Sequence, residues 1–339
     1  MTLDPHLVWF LLVGILLAGY AVLDGLDLGV GALHLFVRRD DERRVFLNAI
    51  GPVWDGNEVW LVTGGGALFA AFPGVYATVF AGFYLPMMVL LFALIFRAVA
   101  IEFRSTQPGV AWRSTWDASF SVASVLASLL FGVAFGNVIW GIPIDAAGEY
   151  AGGLLNLLHP YALLTGVTTV ALFTMQGAIY LVLKTEGALQ ARVRAWVNDA
   201  IIFFVICYAT TTMATLVYVP HMTHAIRGHP ILFVPALATM LAIANVPREI
   251  HHGRVFRAFL SSSGAVFGLM GLVGIGMFPN LVTATDPARS LTIYNAASSE
   301  GTLGTMLVIA LIGVPLVLAY TATVYWVFRG KVRLDSASY

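Results

Sequence analysis

Two pairs of carboxylates, each three residues apart, stand inside stretches of this chain that are otherwise apolar. Asp24 and Asp27 lie in Gly19-Tyr20-Ala21-Val22-Leu23-Asp24-Gly25-Leu26-Asp27-Leu28-Gly29-Val30-Gly31. Asp55 and Glu58 lie in Gly51-Pro52-Val53-Trp54-Asp55-Gly56-Asn57-Glu58-Val59-Trp60. A spacing of three puts each pair on one face of a helix. A third apolar stretch, Phe96-Arg97-Ala98-Val99-Ala100-Ile101-Glu102-Phe103-Arg104, adds a cation and another acid. A charge at mid-span costs on the order of 2.5–3.5 kcal/mol on insertion scales, so such groups persist where they pair or work. Two chemistries fit. One is an ion-pair and hydrogen-bond network, Arg97 against Asp24, Asp27 or Glu58, that docks three helices. The other is a proton route along the carboxylates. Glu102 reads as a boundary residue paired with Arg97 or Arg104. Trp54 and Trp60, six apart, do not share a face and read as packing, with Asn57 beside them.

The elements that position these groups follow from composition. Of 339 residues, 59% are hydrophobic and 11% charged, against about 25% charged in a soluble domain. Mean hydropathy is +0.85. The chain is therefore an all-α, polytopic membrane protein, read as one integral membrane domain over 1–339. Net charge is zero, which leaves no basic surplus for nucleic acid. The single cysteine, Cys207, sits in an apolar run as a packing residue. The N-terminal stretch has no basic segment and its apolar run is too long for a signal peptide, so it reads as a membrane span.

At about 20 apolar residues per span, the sequence predicts nine helices over 7–36, 49–71, 76–103, 116–140, 158–184, 199–220, 230–246, 256–278 and 302–328. Of 18 basic residues, fifteen fall after the odd-numbered helices or in the C-terminal tail, from Arg38 to Arg333. Only Arg227 and Arg289 fall on the other side. The positive-inside rule then puts the N-terminus outside and the C-terminus in the cytoplasm. All four helical carboxylates are expected at similar depth, in the half nearer the basic side. Pro86 and Pro315 are expected inside spans. Ser121, Ser124 and Ser128 make a small-residue stripe suited to helix packing.

None of the eight histidines, His6, His34, His159, His221, His224, His229, His251 and His252, falls at mid-span. A transmembrane haem takes axial His or Met ligands facing a cavity, so haem ligation is not expected here. The pairs His221/His224 and His251/His252 read as loop residues, and no metal site is expected.

The two carboxylate motifs, continued by Gly64-Gly65-Gly66-Ala67-Leu68-Phe69-Ala70-Ala71-Phe72-Pro73 and the Arg97–Arg104 stretch, closely resemble subunit II of the cytochrome bd quinol oxidases. The first 105 or so residues carry the specificity, and helix count and length fit throughout. The cyanide-insensitive branch shares these motifs. The resemblance implies a terminal oxidase of a prokaryotic inner membrane that oxidises quinol and reduces O₂ to water. It places haem b, haem d and the quinol site in subunit I, the partner of this chain. It further implies a cytoplasmic-side proton path through Asp55, with Glu58, Asp24 and Asp27 as companions. Near Trp60 it implies a route by which oxygen enters. A structural quinone, a small accessory transmembrane subunit and membrane lipids belong to the same expectation. Two rivals stand beside it: a proton-coupled transporter, for which the expected inverted repeats and broken helices are not evident, and a purely structural partner subunit.

Overall fold

A computed structural model describes residues 4–334, so the outermost residues of the predicted 1–339 unit lie outside the described region. Among the described residues, eight helices are long and apolar enough to cross a membrane, or nine if a sharply bent pair is counted as one span. In chain order these elements are α1 (Pro5–Leu33), α2 (Asp40–Ile50), α3 (Trp54–Ala71), α4 (Pro73–Gly82), α5 (Tyr84–Phe103), α6 (Val110–Trp140), α7 (Pro160–Lys184), α8 (Gly187–Tyr218), α9 (His224–Gly228), α10 (Phe233–His251), α11 (Val255–Met277) and α12 (Glu300–Val327). Strands β1 (Asn280–Val282) and β2 (Leu291–Thr292) pair antiparallel in the last long loop.

The second and third predicted helices differ from the sequence reading. Residues 40–50 form a separate amphipathic helix, α2, with Asp40, Asp41 and Glu42 in its first turn and Phe46, Leu47 and Ile50 buried. Acids there favour the helix N-terminus. The Gly51-Pro52 turn then restarts the chain, so α3 begins only at Trp54. Pro73 opens α4, which leaves α3 at 118°. Proline at the first helical position loses no hydrogen bond but cannot continue the preceding helix. The predicted span 76–103 is therefore split at Phe83, and Pro86 sits in the first turn of α5. Pro315 does lie inside α12.

Helix α1 is central, packed against α3, α6, α7 and α11. Glycine makes this approach close. A Cβ on Gly29 would overlap the carbonyl oxygen of Phe173, and one on Gly177 would overlap the backbone of Gly29. Gly31 faces Ser124 in the same way, and Ser124 and Ser128 return their hydroxyls to Phe120 and Ser124 carbonyls at 2.7 and 2.8 Å. The serine stripe is thus a packing surface. We expect Gly29→Leu to cost at least the roughly 1–3 kcal/mol of an overpacked core and to cut the yield of folded protein. Gly301→Ala, in open space on α12, should leave yield unchanged in the same assay.

The end of the bundle opposite the basic loops is closed by the 279–299 loop. Ser298 donates from its backbone N–H and hydroxyl to the Ala71 and Ala70 carbonyls, and Arg289 donates to the Ile144 carbonyl at 3.0 Å. At this end His159 caps α7 by accepting the Ala162 N–H on Nδ1. Burial lowers the pKa of this imidazole, which suits a neutral acceptor. At the basic end Lys184 donates to the Phe328 carbonyl and Lys331 to the Val182 carbonyl at 3.0 Å. Burial lowers the Lys331 pKa, with Glu186 opposing.

Candidate functional site: two buried charge clusters

Asp24 sits in the α1 interior because Gly25 and Gly29 let α7 close over that segment. Arg97 of α5 reaches it with two nitrogens, Nη1 to Oδ2 at 2.9 Å and Nη2 to Oδ1 at 2.7 Å. Both residues are fully buried. The same Nη2 donates to Glu58 of α3, which is half-buried. This fork-to-fork geometry fixes three helices to one another.

Asp27, one turn further along, is also fully buried. Its Oδ2 accepts from Asn57 Nδ2 at 2.7 Å, and its Oδ1 has no partner. Asn57 also donates to the Leu23 carbonyl at 3.2 Å and meets the Tyr325 hydroxyl of α12 at 3.0 Å. Asn57 is thus a polar clasp as well as a packing residue, while Trp54 belongs to the apolar core.

Asp55 stands apart. The later start of α3 puts it in the first turn, and it is exposed on the same face as Val59, Val62 and Phe69. The four carboxylates therefore do not form one set. Three converge on Arg97 and Asn57, and the fourth faces outward nearer the helix end. Glu102 is exposed near the end of α5. Trp60 is buried with its ring against Gly19. Its neighbour Leu61 lines two apolar cavities of about 800 and 780 Å³, the first also edged by Tyr20 and Thr168, the second by Gly65 and Met87.

A second cluster was missed by the sequence reading. Asp117 of α6 is buried and accepts from His34 Nε2 at 2.5 Å, Arg104 Nε at 2.6 Å and Arg43 Nη1 at 2.8 Å. An ionised carboxylate only accepts, so Nε2 carries the hydrogen. Asp40 continues the network outward, taking Arg104 at 2.7 Å and Arg113 at 3.1 Å. The available signal was one acid at the edge of a predicted span, facing loops rich in arginine.

Five of the eight histidines have a defined partner. His34 is bonded to Asp117, His159 caps α7, His6 pairs with Asp4, and His221 and His252 bond to backbone carbonyls. Among the described residues, no three His, Cys, Asp or Glu side chains converge as a metal site.

This is the architecture of a polytopic helical membrane protein with two buried clusters of carboxylates and arginines. Residues 5–328 match the family of cytochrome bd terminal oxidase subunit II. The chain is 37% identical over 361 residues to cytochrome bd-I ubiquinol oxidase subunit 2 of Escherichia coli strain K12, covering 97% of this chain and 95% of that one. It is 35% identical to cytochrome bd ubiquinol oxidase subunit 2 of Bacillus subtilis strain 168, covering 96% of each. Its fold is similar to that in the structure of bd oxidase from Geobacillus thermodenitrificans, with a TM-score of 0.81, 15% identity and coverage of 96% and 99%. The chain belongs to the cytochrome bd terminal oxidase subunit II family. It is a multi-pass protein of a bacterial inner membrane and one subunit of a terminal oxidase complex whose partner is subunit I.

Proposed function

We propose that this chain supplies a proton path to the oxidase from the side of its basic loops, with Asp55 as the carrier at the interface with subunit I. The observation that carries this is the exposure of Asp55 on an apolar face of α3. A carboxylate on a membrane-spanning surface is costly against lipid tails and is expected against protein or a water-filled route. Glu58, half-buried one turn deeper, leads from that face to Arg97. Asp24 and Asp27 lie behind it.

In this reading the chain is a single membrane domain with its N-terminus outside and its C-terminus in the cytoplasm, as the basic loops require. The complex oxidises quinol and reduces O₂ to water. Haem b, haem d and the quinol site are assigned to subunit I, as the resemblance to the cytochrome bd quinol oxidases implies, and this chain's own residues are given no step at a haem. Trp60 and the cavities beside Leu61 mark an apolar way in for oxygen, and the cavity edged by Tyr20 and Thr168 offers room for a structural quinone. Membrane lipids and a small accessory transmembrane subunit would cover further apolar helix faces.

The bidentate Arg97–Asp24 pair favours a second role for part of the cluster, that of docking α1 to α5. Asp55→Asn separates the two. We expect the variant complex to keep its haem content and to lose at least about tenfold in O₂ consumption, as removal of a proton-transfer group does, with acidification falling in parallel. Full haem content with wild-type turnover would sink the carrier assignment.

A further inference from the structure

The two apolar cavities beside Leu61 share a wall. Leu17 of α1, Leu61 of α3 and Phe131 and Phe135 of α6 line both of them. The cavities therefore abut, and these four half-buried side chains stand between them. Tyr20 packs edge-on against Phe131, with ring centroids 5.2 Å apart. None of the four carries a polar side-chain atom, so no hydrogen bond locks the wall. Rotamer changes of side chains with free space beside them take picoseconds to nanoseconds.

The cavities open on different faces. The first, of about 800 Å³, has an exposed rim of Leu216 on α8 and Phe233, Leu237 and Met240 on α10. The second, of about 780 Å³, has an exposed rim of Val62 and Phe69 on α3 and Leu91 on α5. Val62 and Phe69 share the face of Asp55, which is read above as the subunit I side, so the α8–α10 rim is left to lipid. Hydroxyls bordering the first cavity are spent on one another: Thr168 meets Thr211 at 2.6 Å and Tyr161 meets Thr215 at 2.9 Å. Apolar cavities stay dry and take up small apolar species such as xenon. Dryness matters here, because Glu58 precedes Leu61 by three residues on α3 and a wet passage would run beside the Arg97 cluster.

We propose that Leu17, Leu61, Phe131 and Phe135 form a wall one side chain thick that dioxygen crosses and water does not. Gas dissolved in the lipid enters the first cavity between α8 and α10, passes the wall and leaves by the second toward subunit I. No bond forms or breaks in this chain. The proposal rests on reading the Trp60 region as the way in for oxygen, and adds that the two cavities serve it in series.

Oxygen consumption by the complete oxidase in phospholipid vesicles tests it. Leu61→Phe thickens the wall and is expected to raise KM for O₂ several-fold, with kcat and haem content unchanged. Leu61→Met, close in volume, should keep the wild-type KM. Gly65→Leu fills the second cavity alone, since a Cβ there meets nothing within 4 Å, and should raise KM as well. A structure of the complex under xenon pressure should show xenon in both cavities, and in Leu61→Ala also between them. A wild-type KM in the assembled Leu61→Phe complex overturns the proposal, as does a first cavity filled by quinone and closed to xenon. Should Leu61→Phe fail to assemble, Leu61→Ala decides: a KM that does not fall overturns it equally. A raised KM in Gly65→Leu alone would keep oxygen entry through the second cavity and end the crossing. No change in any variant would end the entry reading with it.

Discussion

Arg97→Met is expected to prevent the oxidase from accumulating, the largest effect of any substitution considered. Methionine keeps much of the stem volume, so lost packing is a small part of the cost. The large part is electrostatic. Asp24 would lose both guanidinium contacts, and Glu58 would lose its bond to Nη2. Removing one partner of a buried ion pair typically costs about 3–5 kcal/mol, against a total of roughly 5–15 kcal/mol for a folded domain. Membrane burial does not soften this, because Asp24 is fully enclosed between helices and no solvent reaches it. The check is the amount of co-purified complex and its thermal stability. The Arg97→Met/Asp24→Asn double variant should recover part of the loss, since it removes the stranded charge along with its partner. Wild-type thermal stability in the single variant would show that the pair is not what holds α1 to α5.

The sequence made most of the spans and the Arg97 cluster legible, for one physical reason. In a segment that must be apolar, each charge is conspicuous and must find a partner. Asp24, Asp27, Glu58 and Arg97 could therefore be grouped before any coordinates. What stayed hidden were consequences of the turns. The motif around Trp54 gives no warning that α2 is a separate helix, so the place of Asp55 in the first turn of α3 and its outward aim were invisible. The single span predicted over 76–103 ignored how Pro73 and Phe83 divide the chain. Tyr325 carries no signal at all, because a tyrosine near the end of an apolar helix is ordinary at a membrane boundary. The Asn57–Tyr325 contact joins residues 268 apart, which neither spacing nor periodicity encodes.

Asp117 shows the same limit from the other side, and it carries the second large prediction. Asp117→Asn is expected to destabilise the basic end of the bundle by about 3–5 kcal/mol, the range for stranding buried charges. The carboxylate takes hydrogen bonds from three donors on three segments: His34 after α1, Arg43 in α2 and Arg104 after α5. An amide of the same shape offers one acceptor oxygen instead of two, and its N–H groups find no acceptor on either arginine. It also removes the negative charge that neutralises Arg104, whose side chain is buried. Arg104 retains Asp40 at 2.7 Å, and Arg43 is partly exposed to solvent, so the arginines keep some support. His34 is fully buried and its Nδ1 has no partner, so Nε2 is the only ring nitrogen that anchors it. Damage should therefore concentrate where α1 meets α2 and α6. Limited proteolysis of the complex should open the 37–40 and 104–110 connections first, and melting should shift downward while the Arg97 cluster stays intact. Equal melting and equal protease resistance in the two proteins would mean that Asp117 is dispensable for this junction. Arg43→Gln makes the contrast: it removes a half-exposed donor from Asp117 while leaving His34 and Arg104 in place, so its effect should fall near that of a surface ion pair, about 0–1 kcal/mol.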